Sequence, residues 1–221
     1  MKIIEVKELN KNIKGKRILK NINLSLEGGC TYKLLGGNGC GKTTLIKCIL
    51  GIVDYDSGNI LKSSGVKKCE ISNKEVFKYF SVYFSDTSLP KNLKVCECIR
   101  LFKAINEYEG NTDDILKFFQ IKSLLNKKIG ILSTGEKNIT LLITTLLSNW
   151  EVLILDEPFI GLDDAMKIRV GEFLRKSKNK NRTIIVVSHE EDDEFVGDNF
   201  YDYYIDGNNG FKIVSRSNGV K

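Results

Sequence analysis

The sequence predicts an α/β fold with a mostly parallel sheet, an N-terminal antiparallel β portion and an inserted helical subdomain. Three observations carry this reading. A glycine-rich turn is entered by an apolar run, residues 31–35, and left by a helical stripe of Leu45, Ile46, Ile49 and Leu50. Two later apolar runs, residues 152–155 and 183–187, have the continuous hydrophobicity of strands buried on both faces. Between the early and late strands, residues 88–148 show helical spacing without strand-like alternation.

Taken in order, Ile3, Ile4 and Val6 mark a first strand, and Ile22, Leu24 and Leu26 alternate as a second with one buried face. Gly28-Gly29 turns the chain into residues 31–35. The helix after the glycine-rich turn is expected to end at Gly51, because glycine is favoured just past helix C-termini. Asp54-Tyr55-Asp56-Ser57-Gly58 is turn chemistry leading to a short strand around Ile60, and residues 81–84 form a further strand. From Pro90 onward, Leu93, Val95, Ile99, Leu101, Phe102 and Ile105 sit in helical surroundings. Short helices follow at 113–119 and 123–125, and a longer one at 136–147. After the 152–155 strand, Met166, Ile168, Val170, Phe173 and Leu174 give another helix. Strands at 201–206 and 211–214 close the chain around Asp206-Gly207-Asn208-Asn209-Gly210. The organisation expected is one domain, residues 1–221, with a core of about 1–87 and 149–221 and a helical subdomain of about 88–148.

Composition narrows the function classes. The 221 residues are 42% hydrophobic and 28% charged, as in water-soluble globular proteins. The net charge of +6 suits residence near an anionic membrane face, but the lysines are scattered and no basic-aromatic module points to nucleic acid. Six cysteines without a C-x-x-C pair, and a single histidine, argue against a zinc site. No leader-like segment is visible, so free thiols in a reducing cytosol are expected. The most apolar stretch, 139–147, is nine residues long and contains three threonines, whereas a membrane-spanning helix needs about 20 apolar residues.

The chemistry centres on Gly36-Gly37-Asn38-Gly39-Cys40-Gly41-Lys42-Thr43-Thr44, which fits the phosphate-binding pattern G-x-x-x-x-G-K-[ST]. Glycines let successive backbone N–H groups point inward at phosphate oxygens. Lys42 supplies a mobile charge for the β- and γ-phosphates, and the Thr43 hydroxyl can ligate Mg²⁺. The helix starting near Lys42 aims its positive end at the same anion. Cys40 lies inside this loop beside a helix N-terminus, a setting that raises thiol reactivity. Asp156 follows four apolar residues, which is how a buried parallel strand delivers a carboxylate to its C-terminal edge. It is the candidate for binding Mg²⁺ through water, and Glu157 the candidate to polarise an attacking water. His189 ends the 183–187 strand at the edge where open α/β sheets bind ligands. Leu132-Ser133-Thr134-Gly135-Glu136 reads as a capping box, Ser133 with Glu136, opening a helix whose exposed N-terminus is a second anion site.

In this order and combination, the motifs make the chain resemble the ATP-binding subunit of an ABC transporter, a P-loop ATPase, over nearly all its length. The resemblance implies ATP and Mg²⁺ as cofactors and a head-to-tail dimer, homo- or heterodimeric, that sandwiches two ATPs. Ser133 and Gly135, with Glu136 in the same signature, would act in trans on ATP held by the partner's Gly36–Thr44 loop. Asp163 in the loop Phe159-Ile160-Gly161-Leu162-Asp163 would couple the two sites, and His189 would contact the γ-phosphate. The implied location is cytoplasmic, peripheral on the inner face of the cell membrane, docked through the helical subdomain to a separate permease. The chain departs from the family pattern in several places. Ile13 stands where an adenine-stacking aromatic is usual. Ser85-Asp86 replaces an expected glutamine, leaving Asp86 as a substitute metal contact. Thr134, Glu136 and Ile139 replace a common Gly, Gln and Arg. The function implied is ATP binding and hydrolysis that powers transport through dimer closure. The alternative is an ATP-dependent structural or regulatory switch with weak hydrolysis.

Overall fold

The computed structural model describes residues 1–66, 69–177, 179–188, 201–206 and 210–212. The chain runs β1 (Lys2–Ile13), β2 (Lys16–Glu27), β3 (Thr31–Gly36), α1 (Lys42–Ile49), β4 (Ser57–Ser64), β5 (Cys69–Glu70), β6 (Phe80–Phe84), α2 (Val95–Ile105), α3 (Thr112–Phe118), α4 (Thr134–Leu146), β7 (Val152–Asp156), α5 (Asp164–Ser177), β8 (Thr183–Ser188), β9 (Tyr201–Asp206) and β10 (Gly210–Lys212). His189, residues 207–209 of the expected turn and 213–214 of the expected last strand lie outside the described residues.

An antiparallel sheet has the strand order β2-β1-β4-β5. Its first strand, 12 residues, is three times as long as the alternation at Ile3–Val6 suggests. The reason is a bulge: Glu8 has φ 49, and the β1–β2 register shifts between Val6 and Leu9. The extra residue brings Leu9 back to the buried face that Val6 occupies, although the two are three positions apart. Gly58 of β4 crosses this bulge with φ 106, where a Cβ would lie 2.7 Å from both the Glu8 carbonyl oxygen and Leu9 Cα. Only glycine fits there.

The second sheet has the order β10-β9-β3-β8-β7-β6, and every pair in it is parallel except β10 with β9. All five residues of β7 and all six of β8 are buried. One face packs Leu34, Ile154, Ile185 and Val187 with Leu45, Ile46 and Ile49 of α1. The other packs Leu153, Leu155, Ile184 and Val186 with Ile143, Leu146, Val170 and Leu174. Each such side chain contributes about 1.5–3 kcal/mol when fully buried, so the two-faced core is what holds the strand ends in register. Between β6 and β7 the described chain is helical. α2 buries Val95, Cys98 and Ile99 in the same cluster as α4, and Asn111 caps α3 by accepting from the Asp113 amide at 3.0 Å. Among the described residues, no helix is long and apolar enough to cross a membrane.

Candidate functional site

The C-terminal ends of β3, β8 and β7 meet at one edge of the parallel sheet, and α1 begins there. Gly41 is the residue before α1, with φ 108. A Cβ on it would meet Leu19 Cδ2 at 3.0 Å and the Ile18 carbonyl oxygen at 3.2 Å, so β2 presses directly on the loop. Lys42 is only 4% exposed, and its ammonium donates to the carbonyl oxygens of Gly36 at 2.5 Å and Gly37 at 3.2 Å. The charge thus folds back over the loop that it would share with a phosphate. α1 has no acidic residue in its first turn, leaving its positive end uncompensated by side chains of its own.

Thr43, one residue on, donates its hydroxyl to Asp156 Oδ2 at 2.6 Å. This joins positions 113 residues apart, through the β3-β8-β7 order of the sheet. Asp156 Oδ1 is buried and, among the described residues, has no hydrogen-bond partner. Burial pushes the Asp156 carboxyl above its ordinary value; the neighbouring Glu157 charge adds to this, while the Thr43 hydroxyl, Lys42 and Lys47 oppose it. A hydroxyl beside a carboxylate with one free oxygen is an all-oxygen donor set of the kind a hard divalent cation takes, and it fits Mg²⁺. Glu157 leaves the strand in the left-handed region, φ 56, with its amide donating to the Val187 carbonyl at 2.8 Å. Ser188, fully buried at the end of β8, carries a second oxygen at this edge that is unpartnered among the described residues. Its burial depends on the sheet order, which gave no local signal in the sequence.

A second group surrounds the start of α4. Ser133 Oγ accepts from the Glu136 amide at 3.2 Å, and Glu136 Oε2 accepts from the Ser133 amide at 2.9 Å, which is the capping box. These hydrogen bonds, with Lys127 at 2.9 Å from Glu136 Oε1, hold the Glu136 carboxyl below its ordinary value. Gly135 lies against Gly161, and Asp163 Oδ1 accepts from the Met166 amide at 2.8 Å, capping α5. Ser133, Gly135, Glu136 and Asp163 together line a cavity of about 520 Å³ with Gln120, Leu124 and Met166. Ile13 sits at the tip of the β1–β2 hairpin, 40% exposed. Asp86 faces Lys47 of α1 at 3.9 Å with its side chain largely in solvent. The structure therefore joins Thr43 directly to Asp156, folds Lys42 back over the phosphate loop, and gathers the signature residues and Asp163 into a separate cavity.

The family model described as ABC transporter matches residues 19–160, from β2 through the phosphate loop and β7. This chain belongs to the ABC transporter family. A putative ABC transporter ATP-binding protein of Clostridium tetani is 31% identical over 200 residues, covering 89% of this chain and 45% of that protein. The zinc import ATP-binding protein ZnuC of Buchnera aphidicola is 31% identical over 86% of this chain and 75% of its own. The chain spans about half the length of several curated relatives it matches, 41% in the case of a ribose import ATP-binding protein. Among solved structures, cbiO1 from Clostridium perfringens, part of the ABC transporter complex cbiONQ, superposes with a TM-score of 0.72 at 27% identity, covering 98% of this chain and 89% of that one. The ATP-binding cassette MJ0796, in a dimeric post-hydrolysis state bound to ADP and phosphate, has a TM-score of 0.77 at 20% identity over 93% and 95% of the two chains, which shows the shared fold. The expected fold class, an α/β P-loop NTPase core with a mostly parallel sheet and an antiparallel β portion, is the one observed.

Proposed function

We propose that this ABC-family chain binds ATP with Mg²⁺ and hydrolyses it, driving a separate membrane permease by closing as a dimer on nucleotide. The observation that supports this most strongly is the hydrogen bond from Thr43 to a buried Asp156 whose other oxygen is unpartnered among the described residues. Gly36, Gly37, Asn38, Gly39, Cys40, Gly41 and Thr44 would cradle the phosphates with Lys42. Thr43 and Asp156 would hold Mg²⁺, with Asp86 a further candidate, and Ile13 would touch the base. Bound Mg²⁺ supplies neutralisation of the phosphate charge. Glu157 is the general base that takes a proton from the attacking water, and His189 is assigned the γ-phosphate contact.

One chain offers only part of a phosphate cage, and phosphoryl transfer needs charge stabilised from several sides. Ser133, Gly135 and Glu136 at the α4 N-terminus are the groups suited to complete the site of a second ATP-binding subunit, with Asp163 between. Dimeric relatives of the same fold accord with this. The chain would then work at the inner face of the cell membrane, without nucleic acid as a partner. The test is sedimentation of the Glu157→Gln protein with and without ATP, paired with copurification from membranes. ATP-dependent dimers and a polytopic membrane protein in the eluate are expected. A protein that stays monomeric with saturating ATP contradicts dimer closure.

A further inference from the structure

The loop leaving β7 meets the start of α4 at two points, one a hydrogen bond and the other a close packing contact. Asn138 Nδ2 donates to the Ile160 carbonyl at 2.7 Å. Half a turn or more earlier on the same helix, Gly135 approaches the loop so closely that a Cβ on it would lie 2.5 Å from the Gly161 carbonyl oxygen. Gly161 is itself left-handed, φ 71, with Thr134 Cγ2 3.2 Å from where its Cβ would be. The fastened segment starts at Glu157, whose carbonyl accepts from the Ile160 amide at 3.4 Å, and ends at Asp163, which caps α5. Glu157 is therefore three residues from the Asn138 contact, with the Ile160-to-Glu157 turn hydrogen bond between them.

We propose that Asn138 is a positioning residue for hydrolysis, locking the Glu157–Asp163 loop to the α4 N-terminus so that the two move as one body. This rests on the reading above, in which Ser133 and Gly135 engage one phosphate and Glu157 serves another. A phosphate drawn onto the first turn of α4 then sets the loop, and with it the carboxylate of Glu157 in the same chain. Engagement at one site aligns the base at the other, and the binding part of this coupling is reciprocal between the two sites. The contact needs a donor such as the Asn138 amide: a carboxylate in its place would set oxygen against the Ile160 carbonyl oxygen.

The test compares wild type, Asn138→Asp and Asn138→Ala in phosphate release across ATP concentrations, equilibrium nucleotide binding, and amide exchange of residues 157–163. Nucleotide affinity of the monomer should be unchanged, because the phosphate loop is untouched, whereas binding by the dimer should lose its cooperative part. Turnover at saturating ATP should fall by about tenfold or more, since misplacing a catalytic group by about 1 Å costs up to 10²-fold. The Hill coefficient for ATP should drop toward one and exchange in the loop should quicken. A purely structural Asn138 would lower the melting temperature while leaving turnover per folded molecule and the Hill coefficient at wild-type values. That result, or loop exchange identical to wild type, overturns the proposal. A wild-type chain without turnover overturns the hydrolysis reading, and the proposal with it, before any variant is compared. Loss of role for Asn138 alone is seen as an active, cooperative wild type matched by Asn138→Asp.

Discussion

Replacing Thr43 with valine keeps the shape of the side chain and removes the hydroxyl that donates to Asp156 at 2.6 Å. Asp156 is 4% exposed and its Oδ1 is already unpartnered, so in Thr43→Val both carboxylate oxygens are buried without a donor. A hydrogen bond to a charged group is worth about 1.5–3 kcal/mol, and that loss is expected in urea or thermal unfolding of the nucleotide-free protein. For a chain of this length it corresponds to a fall in melting temperature of roughly 3–12 °C. Asp156→Asn has the opposite sign. The folded carboxyl titrates above its ordinary value of 3.8 because of burial, so its protonated form is favoured in the fold. The stability it contributes is present below that value and is lost as pH rises through the raised folded value. At neutral pH Asp156→Asn should therefore leave the nucleotide-free protein as stable as wild type or more so, and should flatten the pH profile above the ordinary carboxylate range. The double variant should show a coupling of at least about 0.5 kcal/mol between the two sites. Additive effects, or a Thr43→Val loss below about 0.5 kcal/mol, would refute the view that this hydrogen bond carries the buried carboxylate.

Three further outcomes are expected. Glu157→Gly relieves the left-handed backbone and should hold or raise nucleotide-free stability by up to about 1 kcal/mol, whereas β-branched Glu157→Val should lower it by about 1–2 kcal/mol. Denaturant midpoints of the two variants decide this. Gly135→Ala drives a methyl to 2.5 Å from the Gly161 carbonyl oxygen, a backbone atom, and should cost about 1–3 kcal/mol in the same assay, with loop 157–163 exchanging faster. Alkylation of Cys40, partly accessible inside the phosphate loop, should block nucleotide binding, with bound ATP protecting the thiol. Full ATP binding by the alkylated protein, measured by fluorescent-nucleotide titration, contradicts the loop assignment.

The parts of the site legible in the sequence are those whose chemistry is local. The phosphate loop announces itself by its glycines and lysine, Asp156 by the apolar strand before it, and the α4 start by Ser133 and Glu136 three residues apart. What the sequence did not reveal depends on distant contacts. The continuation of β1 past Val6 is hidden because the bulge at Glu8 breaks the two-residue period, and the compensating Gly58 lies 50 positions away. Lys62 looks like a surface residue of β4, yet it is 4% exposed, its ammonium hydrogen-bonded to the Ile49 carbonyl at 3.0 Å and to Asn73. Burial pulls its pKa down, a cost that nothing in the local pattern signals. Gly135 reads as part of the signature and Gly161 as a loop residue, and nothing local in either shows that the fold brings them within a methyl's width of each other. Asn138 carries no motif that would single it out beside Ser133 and Glu136.

The most direct test of ATP hydrolysis at this edge of the sheet is phosphate release by the purified chain with Mg²⁺ and ATP, wild type against Glu157→Gln. Steady release by wild type and its loss in Glu157→Gln, with ATP still bound to both, is the outcome expected. Equal release by the two proteins, or none by a wild type that binds ATP, would contradict the assignment of Glu157 as the base.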